Sequence, residues 1–399
     1  MGPGLIVMFA DTEAGSITTA AASGAQFGMK LLLLQALLIV PLFVVQEMTV
    51  RLGTTTGKGH ARLIRENYGA FWAAISLGTM LVTNVAALVT EFAGIAGAAH
   101  IFGVNPTLMV GAAALLLLAV VFSGSYKRAE LIALALCLLE LLFIPAAIAA
   151  HPDVKAMARS FIGSQPLGDG NYLLLIASNI GAVIMPWMIF YQQSATVDKK
   201  LRPSDLGFAR IDTAFGAIVT QIIMGAIIVT TAATLYVHHQ QVTDAAHAAL
   251  ALVPLAGRFA GIAFGAGLAG ASLLGAFVVS LATAWAFGEV FNWPCSLNHA
   301  PGKAKAFYAL YGICILGSAA VVLIPGLPLI ALTVNVEALN GFVLPVVLVF
   351  LLVMINDKRI VGDKRNSLAA NVVTVSLCVV IVALGIWMAI VGARAGWIH

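Results

Sequence analysis

Charged side chains are scarce in this chain: Asp, Glu, Lys and Arg make up only 10% of its 399 residues. Ordinary soluble domains carry about a quarter charged residues. Hydrophobic residues reach 61% and the mean hydropathy is +1.01, which is more apolar surface than a soluble core could hide. The composition therefore excludes a cytosolic enzyme, and it excludes a nucleic-acid-binding role for the net charge of +4.

Cysteine is also scarce, and Cys137, Cys295, Cys314 and Cys378 lie far apart in the sequence. No pair has the close spacing of a zinc site or of a disulfide framework, so we interpret all four as small apolar packing residues. A basic leader is missing as well, because residues 1–10 contain no Lys or Arg. We therefore expect no cleaved signal peptide.

Long apolar runs dominate the rest of the sequence. Each has about 20 residues or more, the length of a helix that crosses a bilayer, and none shows the alternation of a β-barrel strand. We therefore predict an all-α polytopic membrane protein embedded in a lipid bilayer. The eleven predicted transmembrane spans are 2–24, 28–50, 70–100, 106–123, 129–150, 170–194, 208–237, 255–291, 304–325, 328–355 and 368–393. The two longest runs predict a tilted helix or an extension beyond the membrane.

The distribution of Lys and Arg predicts the orientation of the chain. With the N-terminus inside, 16 of the 21 basic residues fall in inner loops, and only Lys30, Lys155, Arg159, Arg258 and Arg394 lie outside. Inner loops of membrane proteins are enriched in Lys and Arg. We therefore expect a cytoplasmic N-terminus, an outer C-terminus and a location in the plasma membrane.

Ten of the eleven spans divide into two groups of five. Because five is an odd number, the second group enters the membrane in the opposite orientation, which is the layout of an inverted-repeat transporter. We expect a first repeat at 1–150, an inverted second repeat at 151–356 and a peripheral eleventh helix at 357–399. Nothing in the pattern specifies an oligomeric state.

The first span of each repeat contains residues that predict a broken helix. Residues 11–16 (Asp-Thr-Glu-Ala-Gly-Ser) place two carboxylates in the first span, where a charge normally faces a partner or water. In the sixth span Pro186 clashes with the carbonyl of Ala182, and Met185 lies beside it. Paired breaks at matching positions predict a binding site at the membrane midplane. The alternatives are an exposed polar linker in the first span and a simple kink in the sixth.

The polar atoms at the two breaks are carboxylates, hydroxyls, backbone carbonyls and one sulfur. No Lys or Arg lies near either break, so an anionic or zwitterionic substrate would lack a positive partner. Hard oxygen ligands suit Mg²⁺, Ca²⁺ or Mn²⁺, and a thioether extends the choice towards softer metals. The residues therefore favour a divalent cation as the substrate.

The sequence resembles the natural resistance-associated macrophage protein (NRAMP) family of divalent-metal transporters at three places. These are the first two helices (1–59), residues 181–186 of the sixth span, and residues 356–359 after the tenth. The resemblance implies the inverted 5+5 repeat of the LeuT/APC-like transporters, with discontinuous helices 1 and 6. These helices are expected to move by alternating access against a scaffold of spans three, four, eight and nine. No cofactor is expected besides the transported ion.

The resemblance also implies a set of ligands for the ion. The family signature Asp-Pro-Gly-Asn aligns with Glu-Ala-Gly-Ser at residues 13–16, so Glu13 and Ser16 are the expected ligands, with Asp11 as an additional acid. In the sixth helix the matching ligands are the carbonyl of Ala182 and the sulfur of Met185.

The chain departs from the family pattern mainly by losing titratable groups. Trp187 and Gln192 stand where typical members carry histidines linked to proton movement, and Gly94 replaces the second of two acids that begin with Glu91. These departures resemble the NRAMP-related magnesium transporters, described as uncoupled, so we expect Mg²⁺ and also Mn²⁺ as substrates. A proton-coupled Mn²⁺ or Fe²⁺ importer is the alternative that Met185 favours. An amino-acid or amine transporter of the same fold is another, while an enzyme is disfavoured.

Several polar residues in the spans are candidates for the ion pathway. We assign to it Glu91, Gln192, Asn335, Glu337 and Asn340, the last three because the tenth helix flanks the site in the fold that the resemblance implies.

Three other acids are given structural interpretations. Glu47 lies near Arg51 at the end of span two and predicts an ion pair, and Glu140 and Glu289 are expected near interfaces or against neighbouring helices.

Overall fold

A computed structural model describes residues 2–240, 242, 245–324 and 329–394, without the side chains of 329–335, 338 and 388–394. Every regular element in these ranges is helical. In chain order the α-helices are α1 (Pro3–Phe9), α2 (Ala14–Phe27), α3 (Leu32–Thr56), α4 (His60–Tyr68), α5 (Ala70–Ile101), α6 (Pro106–Phe122), α7 (Tyr126–Glu140), α8 (Phe143–Ala149), α9 (Val154–Ser160), α10 (Gly170–Val183), α11 (Pro186–Asp198), α12 (Leu206–Thr231), α13 (Ala245–Phe291), α14 (Lys305–Val322), α15 (Leu329–Asn356), α16 (Lys358–Val361) and α17 (Leu368–Arg394).

The described helices agree with the predicted membrane spans in position. Nine stretches in the described residues are long and apolar enough to cross a membrane. One of them, Ala14–Thr56, covers the predicted second span and the latter half of the first, and the predicted fourth span corresponds to the shorter helix Pro106–Phe122. The exact number of eleven and the division into segments 1–150, 151–356 and 357–399 remain predictions.

The long apolar run predicted at 255–291 belongs to a bent helix. Helix α13 is interrupted at Gly257, where φ is 88° and ψ is 164°. A residue with a Cβ atom rarely adopts this φ, whereas glycine does so without strain. The run predicted at 255–291 is therefore the main part of a bent helix, and residues 245–256 form its extension.

Helices α5, α6, α13 and α14 pack against one another and correspond to the expected scaffold. Helices α1 and α2 both pack against α12, while α10 packs against α15. On the outer surface, large apolar side chains point away from the protein, for example Leu108 (70% exposed), Leu115 (69%) and Leu131 (69%). Exposed apolar side chains of this size and number need lipid rather than water around them.

The predicted ion pair of Glu47 is confirmed. Its carboxylate lies 2.9 Å from Arg51 and 2.7 Å from Arg210. Arg51 also donates to the backbone carbonyls of Lys364 and Arg365, both at 3.0 Å. This cluster fastens α3 to α12 and to the segment before α17, which is a structural role.

The short helix α4 joins α3 to α5 and carries a buried histidine. The Nδ1 atom of His60 lies 3.1 Å from Oε1 of Gln193, and its ring packs edge-on against Phe190, with 4.9 Å between ring centres. Burial lowers the pKa of His60 to about 4. The ring is therefore neutral in the folded protein at physiological pH.

Acidification should destabilise the protein through His60. Between the ordinary histidine pKa and about 4, the unfolded chain binds a proton that the folded chain does not, so stability falls as the pH is lowered through this window. The full contribution is on the order of 3 kcal/mol. Thermal unfolding of the wild type and of His60→Gln from pH 7 to pH 4 measures it, and the variant should lose less stability. Parallel curves for the two proteins would contradict the assignment.

Candidate metal centre

The first transmembrane segment is broken where the acidic residues lie. Helix α1 ends at Phe9 and α2 begins at Ala14, and the intervening turn is held by the amide of Thr12, which donates to the carbonyl of Phe9 at 2.8 Å. Asp11 is 1% exposed and Glu13 is fully buried. The predicted break is confirmed, and the alternative of an exposed polar linker is wrong.

The sixth segment is broken just before its proline. Helix α10 ends at Val183, Ile184 and Met185 have extended backbones, and Pro186 is the first residue of α11. A proline at this position needs no backbone donor, because the first amides of a helix have no partner within it. Two extended residues separate the helices, so the segment is discontinuous rather than kinked.

The two breaks face each other. The hydroxyl of Ser16 donates to the carbonyl of Ala182 at 2.9 Å, so the structure brings these two predicted ligands together. Further along the same helices, Nδ2 of Asn179 donates to the Ser23 hydroxyl at 2.9 Å. From α3, Nε2 of Gln35 donates to Oδ1 of Asn179 at 2.6 Å. The hydrogen bonds hold α2 and α10 side by side.

Glu13 is surrounded by other carboxylates. Its carboxyl lies within hydrogen-bonding reach of the carboxyls of Glu91 and Glu337, and among the described residues no hydroxyl, amide or positive group donates to it. Oε2 of Glu91 accepts from the amide of Ala14 at 3.4 Å, an amide that begins α2. Gly15 allows the carboxylate of Glu337 to approach α2 closely, because a Cβ at residue 15 would overlap that carboxylate.

The tenth segment lies beside Glu13. Glu337 and Asn340 are fully buried, and Nδ2 of Asn340 donates to Oε2 of Glu337 at 3.3 Å. Asn335 belongs to α15, but its side chain lies outside the described residues. The pathway assignments of Glu91, Glu337 and Asn340 therefore fall on groups that share one buried cluster.

Glu140, expected near an interface or against a neighbouring helix, also belongs to this cluster. It is fully buried, and its carboxyl faces Asp11 and Thr12. Its position near the middle of the predicted span 129–150 is the sequence feature that points to a place in the cluster. Glu337 is assigned to the ion pathway by the same feature. Of the two placements expected for Glu140, the structure shows the contact with a neighbouring helix, because α7 packs against α1.

The remaining predicted residues lie around the edge of the cluster. The sulfur of Met185 accepts a hydrogen bond from Nε1 of Trp187 at 3.2 Å. Gln192 lies one to two helical turns beyond the break. Its Nε2 donates to the Thr213 hydroxyl at 3.4 Å, and its Oε1 has no partner. Gln192 and Asp212 both line a cavity of about 470 Å³ beside α1 and α12.

The arrangement is strongly attractive to cations. Five carboxylates are buried together, and the ion pairs among the described residues lie elsewhere, at Glu47, Glu66, Glu130 and Asp357. In the described part of the chain, no three His, Cys, Asp or Glu side chains converge on one metal position. An ion would therefore be held by one or two carboxylates with carbonyl oxygens and water. The buried carboxylates are Asp11, Glu13, Glu91, Glu140 and Glu337.

Comparison with solved structures supports the fold. The chain is similar to a manganese transporter of Eremococcus coleocola, with a TM-score of 0.75, 17% identity, and coverage of 97% of this chain and 85% of that one. It is also similar to MhsT solved with L-phenylalanine, with a TM-score of 0.66, 16% identity, and coverage of 96% and 97%. The LeuT-like fold with discontinuous helices 1 and 6 is thus confirmed.

Comparison with known sequences covers nearly the whole chain. It is 27% identical over 409 aligned positions to the divalent metal cation transporter MntH of Ralstonia nicotianae, covering 97% of this chain and 89% of that protein. The family model for natural resistance-associated macrophage protein-like proteins matches residues 4–391. This match runs through both broken helices and the buried acids, and the multi-pass membrane protein described above therefore belongs to the NRAMP family.

Proposed function

We propose that the protein transports divalent metal cations across the membrane by alternating access. The observation that carries this proposal is the buried cluster of carboxylates at two facing helix breaks, where no positive side chain forms an ion pair with them among the described residues. Buried charges of one sign are costly unless a partner compensates them. A doubly charged ion compensates two of them at once.

The ligand set favours Mg²⁺, with Mn²⁺ as a second substrate. Glu13, Ser16, Asp11 and the Ala182 carbonyl all offer hard oxygens, whereas the one soft ligand, Met185, already accepts a hydrogen bond from Trp187. Mg²⁺ commonly binds through one or two carboxylates and keeps several waters. A centre with few converging side chains is suited to a partly hydrated ion.

We further propose that transport is not coupled to protons. The sixth segment has Trp187 and Gln192 at the positions expected to carry histidines, and both are fully buried. A second candidate, a proton-coupled Mn²⁺ or Fe²⁺ importer, is favoured by one observation. The unpaired carboxylates could take up protons when no ion is bound.

The amino-acid transporter remains a candidate of a different class, because MhsT shares the fold. An amino-acid substrate brings a carboxylate that needs a donor or a positive group, yet the described groups around Glu13 and Glu337 are mainly acceptors. The proposal therefore retains a metal ion as substrate. The cytoplasmic N-terminus, the outer C-terminus and the plasma membrane location belong to the same proposal.

Proteoliposomes test the substrate and the coupling together. Vesicles containing the purified protein and a Mg²⁺-sensitive or Mn²⁺-sensitive dye should show influx that protein-free vesicles lack. A pH-sensitive dye in parallel vesicles should report no acidification driven by the metal gradient. The absence of influx with every divalent ion would reject the proposed function, and metal-driven acidification would replace it with the proton-coupled alternative.

Removal of the Met185 sulfur should change selectivity more than rate. In Met185→Ala we expect Mg²⁺ influx to persist, while the ratio of Mn²⁺ to Mg²⁺ influx falls about fivefold, since a single neutral ligand contributes about 1 kcal/mol. Initial rates with each ion in the same vesicles provide the measurement. Equal losses of both fluxes would show that Met185 serves the structure and not the selection of the ion.

A further inference from the structure

An open groove runs along the lipid-facing surface between α6 and α14. It has a volume of about 810 Å³, and its large apolar side chains include Leu115 (69% exposed) and Ile313 (66%). Phe122 ends α6 and faces Tyr308 in the first turn of α14, with 5.2 Å between the ring centres. Among the described residues that line the groove, only Tyr308 has a polar side-chain atom. The groove is therefore apolar along its length, with its polar end at Tyr308.

Basic side chains surround this end of the groove. Lys305 is the first residue of α14 and lies three positions before Tyr308, a spacing that places both on one face of the helix. Two more basic residues lie in the first turn of α7, which follows α6 after a short turn. That turn contacts the loop before α14, since a Cβ at Gly124 would lie 3.6 Å from the carbonyl oxygen of His299. The exposed basic residues of the two segments are Lys127, Arg128, Lys303 and Lys305.

The protein supplies no counter-charge to these four side chains. Among the described residues none of them forms an ion pair, and the neighbouring Glu130 pairs with Lys199. Asp198, which contacts the same loop, is 8% exposed and accepts from the Ser296 hydroxyl and the Leu297 amide. Helix α14 begins without a side-chain cap, so its positive N-terminal end adds to the same field. This end of the groove therefore attracts an anion.

We infer that the groove binds a phospholipid with an anionic head group. An acyl chain lies between α6 and α14, and the phosphate lies among the four basic residues. Basic pockets at the cytoplasmic ends of transmembrane helices bind head groups of this kind, and in the proposed orientation this end faces the inner leaflet. The hydroxyl of Tyr308 donates to the carbonyl of His299 at 2.7 Å, and such a ring is typical of the membrane interface.

A second copy of the chain is a less suitable occupant than a lipid. A two-fold dimer through this groove would bring two identical sets of four basic residues together, and like charges repel each other. An anionic lipid instead supplies the missing negative charge. None of the buried carboxylates lines the groove in the described structure, so the lipid would anchor the scaffold helices in the membrane without coordinating the transported ion.

Native mass spectrometry of the purified full chain tests the head-group end of the site. In detergent with equal amounts of phosphatidylglycerol and phosphatidylcholine, the wild type should retain one phosphatidylglycerol per chain. Lys303→Gln combined with Lys305→Gln should lower the affinity for this lipid about thirtyfold, at about fivefold for each lysine. Lys358→Gln combined with Arg365→Gln is the matched control, because it removes two exposed charges at and after α16, which packs against α3 and α15. The control should bind phosphatidylglycerol like the wild type.

Gly312→Phe tests the apolar part of the site. Gly312 lines the groove, and a Cβ there would lie at an ordinary contact distance of 3.8 Å from Leu118. The phenyl ring should therefore fill the groove and leave the thermal midpoint unchanged. The affinity for phosphatidylglycerol should fall at least about tenfold, because exclusion of only two buried methylene groups has this effect.

Several results would overturn the lipid site. They are equal retention of the two lipids by the wild type, a loss in the Lys358→Gln and Arg365→Gln control that equals the loss in the lysine variant, and unchanged affinity in Gly312→Phe. Displacement of phosphatidylglycerol by an equal concentration of glycerol 3-phosphate would show a site for a soluble anion instead. A dimer that retains no lipid would assign the groove to a second copy. The metal influx assay tests the proposed function separately.

Discussion

Glu13→Ala should abolish divalent cation influx in proteoliposomes. Glu13 stands at the position of the acid in the family signature, and it lies at the first helix break among other carboxylates. Loss of a charged ligand costs about 3 kcal/mol, which corresponds to a decrease in affinity of about a hundredfold. Influx of Mg²⁺ and Mn²⁺ at sub-saturating concentration should therefore fall to the level of empty vesicles.

The same substitution should leave the fold intact or stabilise it. Glu13 lies among like-charged neighbours, so its removal relieves repulsion in the ion-free protein. The thermal midpoint of Glu13→Ala in detergent without divalent ions should equal or exceed that of the wild type. Glu66→Gln is a suitable control, because this exposed carboxylate pairs with Lys58 and Arg62 on α4. Full influx in Glu13→Ala would place the ion elsewhere.

Gly181→Ala should destabilise the protein and reduce transport together. A Cβ at residue 181 would overlap the backbone carbonyl of Glu337 and lie 2.9 Å from the amide nitrogen of Gly341. Backbone atoms cannot rotate away, so α10 and α15 must separate, at a cost of about 1–3 kcal/mol for overpacking. The separation moves Glu337 relative to Gly15. We expect a lower thermal midpoint and a clear loss of influx.

Gly78→Ala provides the matched control for this prediction. Gly78 also lies inside a transmembrane helix, but a Cβ there meets no atom within 4 Å. Alanine favours the helix by up to about 1 kcal/mol over glycine. The control should therefore have an unchanged or higher thermal midpoint with normal influx. If Gly181→Ala behaved like Gly78→Ala, the close contact between α10 and α15 would not be needed for function.

The helix breaks were predictable because their causes are local. The first apolar run contains two acids within six residues, and a charge there is costly in lipid. The sixth contains Pro186, which cannot continue the helix that precedes it. The pairing of Ser16 with Ala182 followed from the family resemblance and not from composition. Their 2.9 Å hydrogen bond joins residues that are 166 positions apart in the sequence, a separation that no local pattern describes.

The composition of the chain by itself determined that it is a membrane protein of long helices. An apolar run of about 20 residues is long enough to cross the bilayer, and a helix satisfies all of its backbone hydrogen bonds there. Only the tertiary structure decided which acids meet. Glu140 joined Asp11, and Glu337 joined Glu13, through the faces on which α7 and α15 pack. In helices that are apolar on nearly every side, the sequence does not show which face packs against a neighbour. Which acids belong to the buried cluster therefore depends on contacts between distant segments.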